Sequence, residues 1–367
     1  MSYTIELNNE RKDSSFIKQN IRAKSPVAEV FSAMVEGRDL APLGKKADTA
    51  AKWVMEQNSK AANGDIVAAA ELNALRRVVI EPVLMQEIKL LSVFGNYTPL
   101  AWDDSCEIEI PEFANVQANI QAAGQDVTFP VIRKKRVPIS TVTISGGYAV
   151  DYRKAAYGDM SKENELQEQV RVQIRNKAAK YIIETVYAAI KNATGVKYFF
   201  EGAGLTKTGV DDVLTKVRRF GKPTIIGDYA LISQFNDFAG FVGNTPTVSG
   251  ISEAVMKEIH DTGLMGMYNG SVLSEIPNPY DLTTLDKTGK NFDTVLPQGL
   301  GFIIPTGNGA SPVHNVTRGG LSSFTGNDVT TGTQLSRFDL EVGTLIVPGQ
   351  EYKLATIHDT NLDSLAD

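Results

Sequence analysis

An α+β fold is predicted by three features of the chain. Amphipathic helical stretches crowd its first quarter, alternating β-type stretches begin near residue 106, and one unbroken helical pattern runs from 162 to 193. The composition allows such a fold. Of 367 residues, 42% are hydrophobic and 22% charged, which suits a chain with sizeable cores and not a disordered one. Single domains run to roughly 100–200 residues, so two or three folded units are expected.

Residues 1–24 are polar and mixed in charge, with Ile5, Leu7, Phe16, Ile17 and Ile21 scattered among them. They read as an extended arm with nothing of its own to pack. Ser25-Pro26 is an N-cap followed by proline at the first helical position, and Val27, Val30, Phe31 and Met34 then recur at three and four. Gly37 ends that stretch. Ala-rich amphipathic stretches follow near 46–62 and 65–79, separated by Asn63-Gly64, with Asp65 the expected cap of the second. A further helical stretch at 82–94 carries Val83, Leu84, Ile88 and Leu91.

After Gly95 the period changes from helical to alternating. Residues 106–111 form a half-buried strand by their period of two. A soft polar stretch at 115–126 precedes Val127, Phe129, Val131, Val137, Ile139, Val142 and Ile144, which resume the strand pattern up to Tyr152. Two strand runs joined by a long polar tip predict an extended hairpin, and an isolated hairpin is marginal in water. Such an arm needs support from outside.

The long helix is the strongest signal. Ser161 is its expected cap, Glu163 and Glu165 sit in its first turn, and Gly195 lies just past its end. Leu166, Val170, Ile174, Ala178, Ile182, Val186 and Ile190 recur every four residues. At 1.5 Å per residue it would run about 48 Å, a spar across a flat molecule. Residues 205–316 then alternate short elements. Helices are expected at 210–220, 229–235 and 252–260, with strands at 223–226, 271–276 and 299–304. Residues 281–293 read as a polar surface connection. From His314 the chain is β again, with strands at 335–342, 344–347 and 351–357.

Candidate chemistry is sparse. The net charge of −6 shows no general appetite for nucleic acid, and no apolar run reaches the roughly 18–20 residues of a membrane span. The first residues lack a basic region followed by an apolar one, so no secretory signal is visible. Cys106, the single cysteine, cannot form an internal disulfide. It points to a reducing compartment and reads as a small hydrophobe in a strand. His260, His314 and His358 stand alone, without metal-ligand or triad spacing.

The segment from Glu201 to Gly209 mimics the end of a phosphate loop at Lys207-Thr208. It lacks the glycine before the lysine and a helix directly after it, so a turn leaving the long helix is expected. Gly299, Gly301, Gly307 and Gly309 read as turn punctuation. Asp103-Asp104 would point to opposite faces of a strand, and Asp211-Asp212 would serve a helix start. No catalytic, cofactor-binding or metal-binding residue is therefore assigned, and the chain does not read as an enzyme. Arg133, Lys134, Lys135 and Arg136 form the one sharp charge cluster. Contact with acidic side chains of a neighbouring subunit is favoured over nucleic-acid contact or localisation, because the cluster lies inside the hairpin and the chain is acidic.

The order of these parts resembles the major capsid protein of tailed bacteriophages, the Hong Kong-97-type fold shared with encapsulin shells. On that resemblance, 1–94 is an N-terminal arm with a helical segment and 95–160 holds the extended loop and peripheral-domain strands. Residues 161–200 are the spine helix, 201–316 the axial domain and 317–367 the returning peripheral strands. Residues 263–277, Gly-Leu-Met-Gly-Met-Tyr-Asn-Gly-Ser-Val-Leu-Ser-Glu-Ile-Pro, resemble a helix–turn–strand step of the axial domain.

The resemblance implies a homo-oligomer of pentamers and hexamers, an icosahedral head shell enclosing phage double-stranded DNA without sequence-specific binding. It places the protein in the virion, assembled in the host cytoplasm, with no cofactor and no membrane contact. Scaffolding, portal and decoration proteins are its candidate partners. Some family members weld subunits through a loop lysine, but no flanking pattern around Lys134 or Lys135 identifies a partner asparagine, so crosslinking is not carried over. An uncleaved chain with a separate or absent scaffold is expected. Mild acidity suits a container for DNA, since a strongly basic wall would hold the genome by counterion release. An encapsulin-like nanocompartment shell is the alternative, followed by a soluble enzyme or carbohydrate-binding domain within 205–316.

Overall fold

The computed structural model describes residues 27–30, 41–62, 64–89, 92, 94–112, 133–151, 160–238, 241–242, 245–246, 257, 259, 261, 263–286, 289–306, 311–328 and 330–362. Residues 1–24, the loop tip at 113–132 and most of the helix expected at 252–260 lie outside them.

Residues 27–30 are helical, and Val27, Ala28 and Val30 bury against α1 (Gly44–Ala62) and α2 (Ile66–Lys89) in one apolar cluster. Asp65 caps α2 as expected, accepting from the amides of Val67 at 2.9 Å and Ala68 at 3.3 Å. The two stretches expected at 65–79 and 82–94 are one helix, with Pro82 inside it. An interior proline removes a backbone hydrogen bond and costs about 3 kcal/mol. Burial on both sides of it carries the helix through: Val78, Val79 and Ile80 before, Leu84 and Ile88 after. The partners change at the same place. Residues up to Val79 pack with α1, whereas Ile80, Leu84 and Ile88 enter the central core.

The strands that follow are β1 (Asn96–Leu100), β2 (Glu107–Glu112), β3 (Arg133–Pro138) and β4 (Thr141–Asp151). The long helix α3 (Met160–Lys191) matches its sequence pattern within two residues at each end. The cap expected at Ser161 falls among side chains outside the description. After it come β5 (Tyr198–Gly202), α4 (Lys207–Val217), β6 (Lys222–Gly227), α5 (Tyr229–Ile232) and α6 (Gln234–Phe238). The single helix expected at 229–235 is thus two short ones. β7 (Phe241–Val242), β8 (Thr245–Pro246), β9 (Met267–Tyr268) and β10 (Ser271–Glu275) continue the unit.

The connection expected at 281–293 is instead an antiparallel pair, β11 (Tyr280–Leu285) with β12 (Phe292–Thr294). Next is β13 (Leu300–Thr306). The two long strands β14 (Val313–Asp328) and β15 (Thr333–Ile346) follow, then β16 (Ala355–Asp359). β15 merges the strands expected at 335–342 and 344–347, because Gly343 stays in register, opposite Val316 on one side and Thr141 on the other. Residues 351–353, expected to begin a strand, form a 3-10 turn.

Two sheets carry the molecule. One is ordered β1-β14-β15-β4 and the other β5-β16-β13-β6-β10-β9. The last strand therefore leaves the sheet of β14 and β15 and inserts between β5 and β13. Strand alternation divides the second sheet cleanly. Ile226, Phe302 and Ile304 face the central core shared with α3 and the first sheet, while Ile225, Ile303 and Ile357 face α4 in a separate cluster. α3 brings Ile174, Ala178, Ile182, Val186 and Ile190 to the central core. Each fully buried Ile or Val of that stripe is worth about 1.5–3 kcal/mol. Among the described residues β2 and β3 pair only with each other, as do β7 with β8 and β11 with β12.

Candidate assembly surfaces

The basic cluster lies along β3, at the described end of the predicted hairpin, with Glu109 opposite Arg136 and Ile110 opposite Lys135. Lys134 and Arg136 share one face of the strand by the period of two. Both converge on Glu109. Lys134 Nζ donates to Oε2 at 3.1 Å, and Arg136 Nη2 donates to Oε1 at 3.1 Å. These donations, Lys134 first and Arg136 second, hold the Glu109 carboxyl below the usual glutamate value. Half of the cluster thus meets an acidic partner inside its own chain. Lys135 takes the other face, with Ile108, Ile110 and Val137. Arg133 begins β3 opposite Glu112.

A second charged group, on α2 and α3, was not read from the sequence. Arg171, only 8% exposed, donates to Glu168 on its own helix and to Glu87 on α2. Burial lowers the guanidinium's pKa and the two carboxylates raise it further, so the net direction is upward and Arg171 stays charged. Arg175 lies 3.7 Å from Glu87 and also donates to Asn176. Glu87 is distant in sequence from the α3 members, and only the crossing of α2 on α3 brings it to them. Beside them is a cleft of about 140 Å3, lined by Ala179, Ile276, Pro277, Pro279, Val295 and Leu296 and rimmed by Glu87, Arg175 and Asn176.

Several of the remaining sequence candidates have structural partners. Lys207 begins α4, so a helix does follow the loop that resembled a phosphate loop, and β5 separates it from the long helix. Thr206 caps α4 by accepting from Gly209 N at 3.3 Å. A Cβ at Gly209 would lie 2.1 Å from the Phe200 ring, so close packing requires this glycine. Gly301 is inside β13, where a Cβ would meet Leu231 at 2.5 Å, and is not turn punctuation. Asp211 does not cap α4. It accepts from Tyr268 Oη at 2.7 Å and Asn269 Nδ2 at 2.8 Å, while Asp212 pairs with Lys216. Burial and then that bond to Asp211 push the Tyr268 phenol upward.

Asp103 and Asp104 lie in a turn and not a strand, and Asp104 accepts from Ala101 N at 2.8 Å. Cys106 is half-buried just before β2. His314 is half-buried on β14, which lowers its imidazole's pKa, and His358 on β16 places Nδ1 3.1 Å from Glu201. His260 lies outside the described residues. Among those residues no group of three or more His, Cys, Asp or Glu could hold a metal, and no helix is long and apolar enough to cross a membrane.

Among the described residues, three strand pairs (β2–β3, β7–β8 and β11–β12) therefore lie outside both large sheets, and a cleft lies beside α3. A family model described as "SPbeta prophage-derived putative capsid protein YonB" matches residues 16–358. The chain belongs to that family. It is a phage capsid protein, and its architecture is α+β, the class expected from the sequence. No curated protein matches it in sequence.

Solved structures similar to this capsid chain include a virus-like particle from Pyrococcus furiosus. It is 8% identical, with 76% of this chain and 97% of that one covered, at a TM-score of 0.44. Another is from Mycobacterium phage Che8, 11% identical, covering 75% and 88%, at 0.43. The head of Helicobacter pylori bacteriophage KHP40 is 10% identical, covering 74% and 89%, at 0.46.

Proposed function

We propose that this capsid protein self-assembles as pentamers and hexamers into an icosahedral head shell that encloses double-stranded DNA. Membership of the capsid family over residues 16–358 carries this reading. The layout supports it. α3 gives a long rail packed on both sheets, and the β2–β3 hairpin stands outside them as an arm for a neighbouring copy. In this reading 1–94 is the N-terminal arm with its helical segment, 95–160 the extended loop with peripheral strands, and 161–200 the spine. Residues 201–316 form the axial domain, and 317–367 return to the peripheral domain, with β16 crossing back to complete the axial sheet. Arg133 to Arg136 contact the neighbouring subunit, with Lys135 free of the pairing that engages Lys134 and Arg136 with Glu109. The container is passive toward DNA, in keeping with the net charge of −6. It performs no catalysis, and it is assembled in the host cytoplasm before it becomes part of the virion.

Electron microscopy of the protein, expressed alone and with its neighbouring genes, tests the proposal. Closed shells tens of nanometres across that shelter nuclease-resistant DNA are expected. Shells filled with protein cargo would favour a nanocompartment, and a persistent monomer or dimer would overturn the assembly reading.

A further inference from the structure

We propose that the β11–β12 hairpin of one copy seats its apolar side chains in the cleft at the foot of the same hairpin on the next copy, a head-to-tail contact that closes rings of subunits. This rests on the capsid reading and names a contact which that reading leaves open.

The hairpin is an apolar blade without a sheet behind it. Tyr280, Leu282, Leu285 and Phe292 are 54%, 71%, 58% and 42% exposed, and among the described residues the two strands pair with nothing else. A two-stranded hairpin is marginal alone in water, and apolar patches of several hundred Å2 mark interaction sites. Its foot, by contrast, is pinned. Asn278 Nδ2 donates to Asp228 at 2.8 Å and to the Leu296 carbonyl at 2.9 Å, and its Oδ1 accepts from Leu296 N at 2.9 Å. The blade is thus presented in a set direction.

The cleft supplies the complement. Its walls are Ile276, Pro277 and Pro279 leading into the blade, Val295 and Leu296 leaving it, and Ala179 of α3. All of them but Ala179 form the blade's root. Leu285 lies six residues beyond Pro279, about 20 Å along an extended strand, so a blade cannot fold into its own cleft. A second copy can fill it.

The area points the same way. Given aromatic side chains of 150–250 Å2, the exposed parts of these four residues sum to roughly 400 Å2, about half of the ~800 Å2 each partner contributes to a stable pair. One such contact is too small for a dimer. In a ring each copy uses both its blade and its cleft, which doubles the area per copy, and a contact between two different surfaces closes rings.

Two measurements test this. The first compares Leu282→Asp/Leu285→Asp with wild type by sedimentation, with circular dichroism and the unfolding midpoint as fold controls. Both side chains are more than half exposed, so the fold persists, and ring-sized and shell-sized species should fall at least tenfold. The second mixes Leu285→Cys copies with Ala179→Cys copies, both in a Cys106→Ser background. Oxidation should give a disulfide-linked dimer only in the mixture, and a double-cysteine chain should give a ladder ending at the ring number. Wild type that assembles while the Asp variant assembles equally well, or while the mixture gives no linked dimer, overturns this contact alone. Wild type that never assembles overturns the assembly reading and the contact with it.

Discussion

Glu109 is exposed, yet its carboxyl lies below the ordinary 4.5 because Lys134 and then Arg136 donate to it. A carboxylate with a lowered native pKa stabilises its fold above the unfolded value, and the contribution is lost as pH falls through the native value. The β2–β3 pairing should therefore loosen below about pH 4, near the unfolded glutamate value. Carboxyl NMR of Glu109 should show its midpoint rising in Lys134→Ala, and an unchanged midpoint would mean that the lysine does not hold it. The charge cluster was legible at this scale, but its internal partner was not, since 25 residues separate Glu109 from Lys134.

Gly319 is a second case. Its φ of +69° and a would-be Cβ 2.0 Å from Trp102 leave room for glycine alone, and Arg318 donates to the Trp102 carbonyl at 2.8 Å. Gly319→Ala should lower the unfolding free energy by about 1–3 kcal/mol, measured by urea titration with Trp102 emission as the local probe. An unchanged midpoint would show that the break in β14–β15 register between Arg318 and Leu321 can rearrange.

At the scale of elements, α3 was readable because its stripe is local: one residue in four is apolar, and Ile174, Ala178, Ile182, Val186 and Ile190 are all buried. Ile182→Asp should abolish soluble folded protein, since an unpaired buried charge costs several kcal/mol. Circular dichroism of the purified variant checks this, and a native-like spectrum and midpoint would contradict the buried stripe. α2 was not readable as one helix, because Pro82 is a local stop signal outweighed by burial on both sides. The β11–β12 pair was missed for a related reason. Its apolar residues point outward and its register shifts between Asp281 and Leu285, so no clean alternation marks it.

At the scale of the whole molecule, the central core joins both sheets and α3, so the surfaces that differ in freedom are those outside it. Reversing all four charges from Arg133 to Arg136 should block shell formation while leaving that core intact, because the cluster lies on a separate two-stranded sheet. Light scattering with a matched thermal melt separates the two effects, and normal shells from this variant would remove the cluster from the contact.

Residue order alone determined the α+β class, the long helix and the basic strand, because each depends on periodicity or composition within one stretch. Tertiary structure decided the rest. It placed β16 between β5 and β13, united Glu87 with Arg171, and set an apolar blade beside a cleft. Those outcomes depend on contacts between segments about 50 to 160 residues apart, which no local pattern encodes and only the packing of one buried face on another selects.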